Sequence, residues 1–406
     1  MGFNAPLPEW KNSGQEPPST VKDQGWGALN RPPAEWLNWF FNRTYKSLEE
    51  LQQNGVSVDE FQKVNTNNLN GEIVEADAFE YNGANMTSIV PGQYQSTRAT
   101  DLLNYVQQIS MDSVAIVVTW FQDTKTSTVI QRDATKTVPD EDVLAIIRQA
   151  KGKGLKVMLK PHVDCNDGTW RGEINPVDTT AWFASYQQFI LHYAQIAQNE
   201  NVELFCIGTE LKNMTKVIYQ SNWTNVIQSI RSAYQNKLTY AATAMSSKDQ
   251  EEYLVVPFWG LLDYAGLDVY FKLTLPDITP STSTVGAAWT KSSEGQDYIR
   301  KLTTWQKVHG KPVLFTEIGC TVFKGSTQDP ANYNISSTVD YNEQALYVDA
   351  IFRIWTSQVS WLKGFFWWRL AFSTTDAFRF ENLPSAQVFA DWIGHTKGGD
   401  LNGGLQ

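Results

Sequence analysis

Short apolar runs alternate with longer amphipathic stretches along most of the chain, from about residue 76 onwards. Eight of these runs have the length and composition of β-strands. They lie at residues 83–88, 114–120, 156–163, 203–210, 238–244, 264–270, 313–318 and 364–370. Several are apolar at nearly every position, which is typical of parallel strands covered on both faces.

The stretches between these runs predict helices, because their apolar residues recur at helical spacing. The helices are predicted over residues 140–152, 179–198, 222–235, 295–308, 341–356 and 384–393. Eight strands alternating with helices predict an α/β fold, a (β/α)8 TIM barrel. A doubly wound open sheet is the alternative, but no glycine-rich phosphate loop follows the first strand.

The first 55 residues follow another pattern. Residues 1–31 are rich in Pro, Gly, Asn and Gln and predict loop or extended structure, whereas an amphipathic helix is predicted from Pro33 to the residue before Gly55. The stretch PPAEWLNWFFNRTYKSLEEL resembles the N-terminal segment of phage tail and tail-fibre proteins. The predicted organisation is a tail-like segment with one helix (1–55), a linker (56–75), a barrel domain (76–396) and a C-terminal tail (397–406).

Composition and charge exclude several classes of protein. Of the 406 residues, 42% are hydrophobic and 19% charged, as in a folded domain, and no run approaches the ~18 apolar residues of a membrane span. The formal net charge of −10 and the lack of a basic cluster argue against binding to nucleic acid or to an anionic membrane. The start of the chain lacks the basic and apolar regions of a signal peptide.

Neither cysteines nor histidines predict a metal site. The three cysteines lack the spacing of a zinc site or a disulfide framework, and the chain has only four histidines. Aromatic residues make up 13% of the chain, including 16 tryptophans. Most of these rings are expected in the core, but indole rings also stack on the C–H faces of sugars.

Two predicted strands carry a glutamate at or next to their last residue. Glu210 ends the fourth strand and Glu317 lies at the end of the seventh. The active site of a (β/α)8 barrel lies at the carboxyl ends of its strands, so both side chains are expected to face one cleft. Glycoside hydrolysis requires such a pair, although either acid taken alone could be an ordinary residue at a helix N-terminus.

The motifs around these acids also resemble a known family. Residues 80–396 resemble the clan A glycoside hydrolases, and in particular the family 113 endo-β-mannanases, in VAIVVTWFQD, GLKVMLKPHVD, DGTWRGEI, ELFCIGTEL, LDVY and PVLFTEIG. The resemblance implies that Glu210 is the acid/base, that Glu317 is the nucleophile, and that Tyr270 hydrogen-bonds the nucleophile. It implies a retaining mechanism without a cofactor. Thr209 departs from the pattern, since much of clan A has Asn there to contact the sugar 2-hydroxyl.

Further side chains near the strand ends are candidates for sugar binding. His162 and Asp164 could be metal ligands, but sugar hydroxyl recognition fits better with so few histidines. Trp367 and Trp368 alternate, so one of them faces the cleft, and Trp368 is the prediction. The candidate substrate-binding residues are Trp120, His162, Asp164, Trp170, Arg171, Asp268 and Trp368.

The favoured function is a retaining endo-β-glycosidase that acts on a β-linked polysaccharide or oligosaccharide of the β-mannan type. The tail-like N-terminus suggests, as an alternative setting, a phage or prophage depolymerase of a bacterial surface polysaccharide. Such a protein would act outside the cell or on a virion, and its N-terminal helix could form a homo-oligomer or join a phage particle. A non-catalytic carbohydrate-binding tail protein and a metal-dependent hydrolase are the remaining alternatives.

Overall fold

The computed structural model describes residues 11–24, 32–54, 79–246 and 251–396. The chain divides into two compact units, residues 1–67 and 68–406. The predicted linker (56–75) and the predicted C-terminal tail (397–406) lie outside the described residues. None of the helices within the described ranges is both long and apolar enough to span a membrane.

The first unit contains the predicted N-terminal helix. Helix α1 covers Ser19–Gln24 and helix α2 covers Ala34–Asn54, directly after two prolines, which favour a helix start. Gly14 has a φ of +56° and lies so close to the carbonyl of Glu35 that a β-carbon would meet it at 2.1 Å. Only glycine therefore fits at this approach.

In the second unit, eight parallel strands close into a barrel in the order β1 to β8, as predicted. The strands are β1 Tyr81–Thr87, β2 Ser113–Gln122, β3 Lys156–Cys165, β4 Leu204–Thr209, β5 Lys237–Met245, β6 Ala265–Tyr270, β7 Val313–Ile318 and β8 Leu362–Leu370. Strand β1 pairs with both β2 and β8, so this sheet has no free edge.

Helices follow the strands around the barrel. They are α3 Thr97–Gln108, α4 Asp140–Gly152, α5 Thr179–Asn199, α6 Gln220–Ala233, α7 Thr282–Ala288, α8 Tyr298–His309, α9 Tyr341–Trp355 and α10 Pro384–Thr396. All six predicted helices of the barrel are present. Helix α10 continues past Gly394, the predicted stop, and α8 begins three residues later than expected because the Asp297 side chain caps it by accepting from the Arg300 N–H.

Helix α3 is not among the predicted helices, although its sequence carries a signal. Ala99, Leu102, Leu103 and Val106 are fully buried at the i, i+3, i+4, i+7 spacing of a helix face. The Ser96 hydroxyl caps this helix by accepting from the Ala99 N–H at 3.2 Å. The polar residues that surround this narrow apolar face conceal it in the linear pattern.

Alternation along the strands determines which side chains fill the barrel, because every second residue points inward. One buried cluster crosses the interior and consists of Tyr81, Ala115, Met158, Leu204, Cys206, Ala241, Tyr264, Leu314 and Phe366. On β3, further two-residue steps from Met158 lead to Lys160, His162 and Asp164. Polar side chains are thereby placed inside the barrel at the carboxyl ends of its strands.

Candidate active site

Two cavities lie at the carboxyl ends of the strands. The first has a volume of about 380 Å³ and is lined by Trp170, Arg171, Glu210, Met245, Tyr270, Glu317, Ala331, Tyr333, Trp368 and Phe378. The second has a volume of about 330 Å³, and its walls include Ser88, Gln93, Thr119, His162, Asp164, Arg369 and Asp376. Both cavities also share Arg171 and Trp368 as wall residues. Most predicted site residues are thus brought together.

Glu210 follows β4 directly and has a φ of +52°, in the left-handed region that residues with a β-carbon rarely adopt. Its Oε2 accepts the Trp170 indole N–H at 3.1 Å and lies 3.8 Å from the Arg171 guanidinium. Burial and then the charge of Glu317 raise the pKa of Glu210, while Arg171 and the Trp170 hydrogen bond act in the opposite direction. A carboxyl group in these surroundings suits a proton donor.

Glu317 is 5% exposed and has a hydrogen-bond donor on each carboxylate oxygen. The Tyr270 hydroxyl donates to Oε2 at 3.0 Å, which confirms the predicted neighbour of this acid. The Lys160 ammonium donates to Oε1 at 2.5 Å. Because both oxygens are held, the carboxylate has a defined orientation toward the first cavity.

Lys160 belongs to the site by its contacts and was not predicted from the sequence. Its side chain is completely buried, and its Nζ lies 3.5 Å from Oδ1 of Asp268 as well as beside Glu317. Burial alone would lower the pKa of Lys160, but the Asp268 and Glu317 carboxylates outweigh it, so the pKa is raised and the ammonium stays charged. A lysine within an apolar strand, two residues before His162, was the available signal.

Asp268 lies beneath the cavities rather than in their walls. It is fully buried, and its Oδ1 accepts the Thr316 hydroxyl at 2.7 Å. Burial and then the charge of Glu317 raise the pKa of Asp268 well above its usual range. Asp268 lines neither cavity and lies beside Lys160, so the structure contradicts its predicted role in sugar binding. It fits the other role open to it from the sequence, support of a neighbouring site residue, with Lys160 in place of Tyr270.

His162 and Asp164 face the second cavity. Burial, followed by the charges of Arg171 and Lys160, holds the pKa of His162 well below its usual range, so the imidazole is neutral. Its Nε2 has no hydrogen-bond partner among the described residues. Asp164 accepts from Nε of Arg171 at 2.8 Å, which fixes the guanidinium between the two cavities.

The two adjacent tryptophans of β8 point in opposite directions. Trp368 lines both cavities, as predicted, and lies 5.9 Å from the Lys160 ammonium. Trp367 is 2% exposed and packs its ring 4.8 Å from that of Phe389, on the helix layer outside the barrel. Trp368 is therefore the ring available to a ligand, while Trp367 belongs to the core.

The prediction that Trp120 lies in the site is wrong. Its indole N–H donates to the Tyr193 hydroxyl at 2.8 Å, and its ring lies 5.3 Å from that of Phe189, both on α5. Thr119, the residue before it, lines the second cavity. Because neighbouring strand residues point to opposite faces, Trp120 faces the helix layer.

The arrangement provides two carboxyl groups with different surroundings in one cavity, one beside an arginine and an indole and the other beside a lysine and a tyrosine. Groups of three or more His, Cys, Asp or Glu side chains that could hold a metal ion do not occur in the described part of the chain. Thr209, the residue that departs from the clan A pattern, is buried with its hydroxyl 3.9 Å from the Cys206 thiol. The site thus has the groups for acid–base and nucleophilic chemistry at one bond.

The sequence and the fold are similar to those of known proteins. The sequence matches the model of Glycoside Hydrolase Family 113 over residues 85–379. A solved structure of a GH113 β-1,4-mannanase is similar at 25% identity and a TM-score of 0.67, covering 78% of this chain and 99% of that one. The GH113 β-mannanase from Alicyclobacillus acidocaldarius aligns with a TM-score of 0.68 at 22% identity over 80% of this chain and 100% of that one. A search of curated proteins returned no match.

Proposed function

The chain belongs to glycoside hydrolase family 113, and we propose that it hydrolyses internal β-1,4 linkages of mannan or of a chemically similar polysaccharide. The observation that carries this proposal is the pair Glu210 and Glu317, which line one cavity from β4 and β7. The substrate class is supported by the β-1,4-mannanase among the similar structures. It is a retaining endo-β-glycosidase of the β-mannanase type.

In the first step, Glu317 attacks the anomeric carbon while Glu210 protonates the oxygen of the leaving sugar. The bond between the anomeric carbon and that oxygen breaks, and an ester between Glu317 and the sugar forms. Tyr270 and Lys160 hold the two oxygens of the attacking carboxylate, at 3.0 Å and 2.5 Å. The nucleophile therefore needs little reorientation during the attack.

In the second step, Glu210 removes a proton from a water molecule that attacks the same carbon and releases Glu317. Two inversions at one carbon retain its configuration. Burial and the charge of Glu317 raise the pKa of Glu210 in the free protein. Once Glu317 is esterified its charge is lost, so Glu210 becomes more acidic and suited to act as a base.

The shape of the cleft supports action on a polymer. The first and second cavities share Arg171 and Trp368, and neither catalytic glutamate lines the second one. Sugar units on one side of the cleaved bond therefore have a binding region of their own. His162 and Asp164, together with the Trp368 ring, supply polar and stacking groups there, as sugar binding requires.

The test is the release of reducing ends from β-1,4-mannan, glucomannan, carboxymethyl cellulose, chitosan and extracted bacterial surface polysaccharides. We expect release from β-mannan by the wild-type protein and a loss of at least about 1,000-fold in Glu317→Gln and Glu210→Gln. Glu294→Gln, which changes an exposed glutamate, is the matched control and should behave as wild type. Release of reducing ends from a bacterial surface polysaccharide and from none of the other substrates would instead indicate a depolymerase of that polysaccharide.

We also propose that the protein acts outside the cell or on a virion, as a homo-oligomer held by α2. Polysaccharides are too large to cross a cell membrane unaided, and Phe40 on α2 is 53% exposed, which favours a partner surface. Light scattering of the full chain and of a chain beginning at residue 76 is the test. A larger oligomer for the full chain supports the homo-oligomer held by α2, whereas equal oligomeric states refute it.

A further inference from the structure

A further buried carboxylate, that of Glu252, lies near the catalytic residue Glu210. Glu252, in the segment after β5, is 1% exposed and accepts three hydrogen bonds. The donors are the Tyr240 hydroxyl at 2.6 Å, the Thr215 hydroxyl at 2.8 Å and the Thr243 N–H at 3.0 Å. Glu252 lines neither of the two cavities, so the two-step reaction leaves it without a role.

Tyr240 connects this carboxylate to the backbone beside the catalytic acid. Its hydroxyl donates to Glu252 and accepts the Leu211 N–H at 2.7 Å. Its ring lies against the other side of the same turn, since a β-carbon on Gly208 would come within 2.9 Å of it. Tyr240 therefore contacts the chain on both sides of Glu210.

The turn at Glu210 needs such support. With a φ of +52°, Glu210 has a backbone conformation that is unfavourable for any residue with a β-carbon. A conformation of this kind persists only where the surroundings determine it. Here the Glu210 N–H donates to the Ala241 carbonyl at 2.8 Å, and the next N–H, that of Leu211, is held by Tyr240.

We propose that Tyr240 and Glu252 are positioning residues that hold Glu210 where it can protonate the leaving sugar oxygen. Glu252 orients the tyrosine hydroxyl, so that the lone pair of that hydroxyl faces the Leu211 N–H. Through Thr215 it also fixes the far end of the segment that follows Glu210. This inference rests on the proposed function, in which Glu210 is the proton donor.

The first test compares two substrates in the full-length Tyr240→Phe variant. Mannotetraose needs protonation of its leaving group, whereas the phenolate of 2,4-dinitrophenyl β-mannobioside departs without it. We expect kcat/KM to fall about tenfold for mannotetraose and less than about threefold for the aryl substrate. Tyr234→Phe, which removes another buried hydroxyl, one that donates to the Val202 carbonyl at 2.8 Å, should affect both substrates equally.

The second test follows amide hydrogen exchange of residues 204–216. Faster exchange there in Tyr240→Phe and Glu252→Gln, and not in Tyr234→Phe, supports the inference. Equal losses of kcat/KM on both substrates, or unchanged exchange, overturn it. If the wild-type protein cleaves neither substrate, the proposed function is wrong. The exchange measurement then decides whether Tyr240 and Glu252 hold the turn at Glu210.

Discussion

The Lys160 ammonium and the Glu317 carboxylate form an ion pair of 2.5 Å inside the barrel. Lys160 is completely buried and Glu317 nearly so. A buried ion is stable only with a partner and satisfied hydrogen bonds, and here Asp268 and Tyr270 complete the set. Glu317, the proposed nucleophile, is therefore oriented by a lysine of β3 and a tyrosine of β6.

Replacement of Lys160 by methionine should abolish most activity. The change leaves the Asp268 and Glu317 carboxyl groups buried without their cation, so one of them is expected to be neutral and the nucleophile to be lost or misplaced. We expect kcat to fall on the order of 100-fold and the free energy of unfolding to fall by about 3–5 kcal/mol. Lys156→Met, at the partly exposed start of the same strand, is the control and should retain wild-type kcat.

Arg171 should influence the pH above which kcat/KM falls. Glu210 must be protonated to act as an acid, so kcat/KM falls as the pH rises through its pKa. Arg171 lowers that pKa, and Arg171→Gln is therefore expected to move the basic limb of the profile to higher pH. Arg148→Gln, at an exposed pair with Glu200, should leave the profile in place, and a shift of the basic limb to lower pH in Arg171→Gln would contradict the assignment of Glu210.

Replacement of the two neighbouring tryptophans of β8 should have different effects, one on substrate binding and the other on stability. Trp368→Ala removes a ring from the cleft, and we expect kcat/KM to fall about tenfold or more with a small change in Tm. Trp367→Ala empties a core position and should lower the free energy of unfolding by about 3–5 kcal/mol. Steady-state kinetics and thermal unfolding of both variants provide the comparison, and a reversal of the two effects would show that the wrong ring was assigned to the cleft.

Trp120→Phe should alter stability rather than catalysis. The variant loses the indole N–H that donates to the hydroxyl of the buried Tyr193, and a buried polar group left without its partner costs about 1–3 kcal/mol. Its kcat and KM on β-mannan should stay within about twofold of the wild type. A large increase in KM would indicate that this side chain contacts substrate after all.

The site residues at the strand ends could be predicted from the sequence because the barrel fold determines where those ends lie. Glu210 and Glu317 each end an apolar run, and a parallel barrel gathers such ends at one face. Tyr270 likewise ends β6 and contacts Glu317 as expected. Helix α3 shows the limit of the same approach, since only a few buried residues, set among polar ones, form its apolar face.

Three features of the site could not be predicted from the sequence in this way. Side chains along β2 point alternately into the barrel and toward the helices. Because β2 is apolar at almost every position, its sequence does not show to which of the two sets Trp120 belongs. The role of Lys160 depends on β6 and β7, more than 100 residues away along the chain. The left-handed backbone of Glu210 is stabilised by Tyr240, and no local pattern around residue 210 encodes that contact.

Covalent trapping of the nucleophile tests the central claim most directly. The wild-type protein would be incubated with 2-deoxy-2-fluoro-β-mannobiosyl fluoride, and the labelled residue identified by mass spectrometry of peptides. The fluorine at C2 slows both steps, while fluoride leaves readily, so the ester is expected to accumulate on Glu317. A label on another residue, or steady hydrolysis of β-mannan by Glu317→Gln, would contradict the assignment of Glu317 as nucleophile.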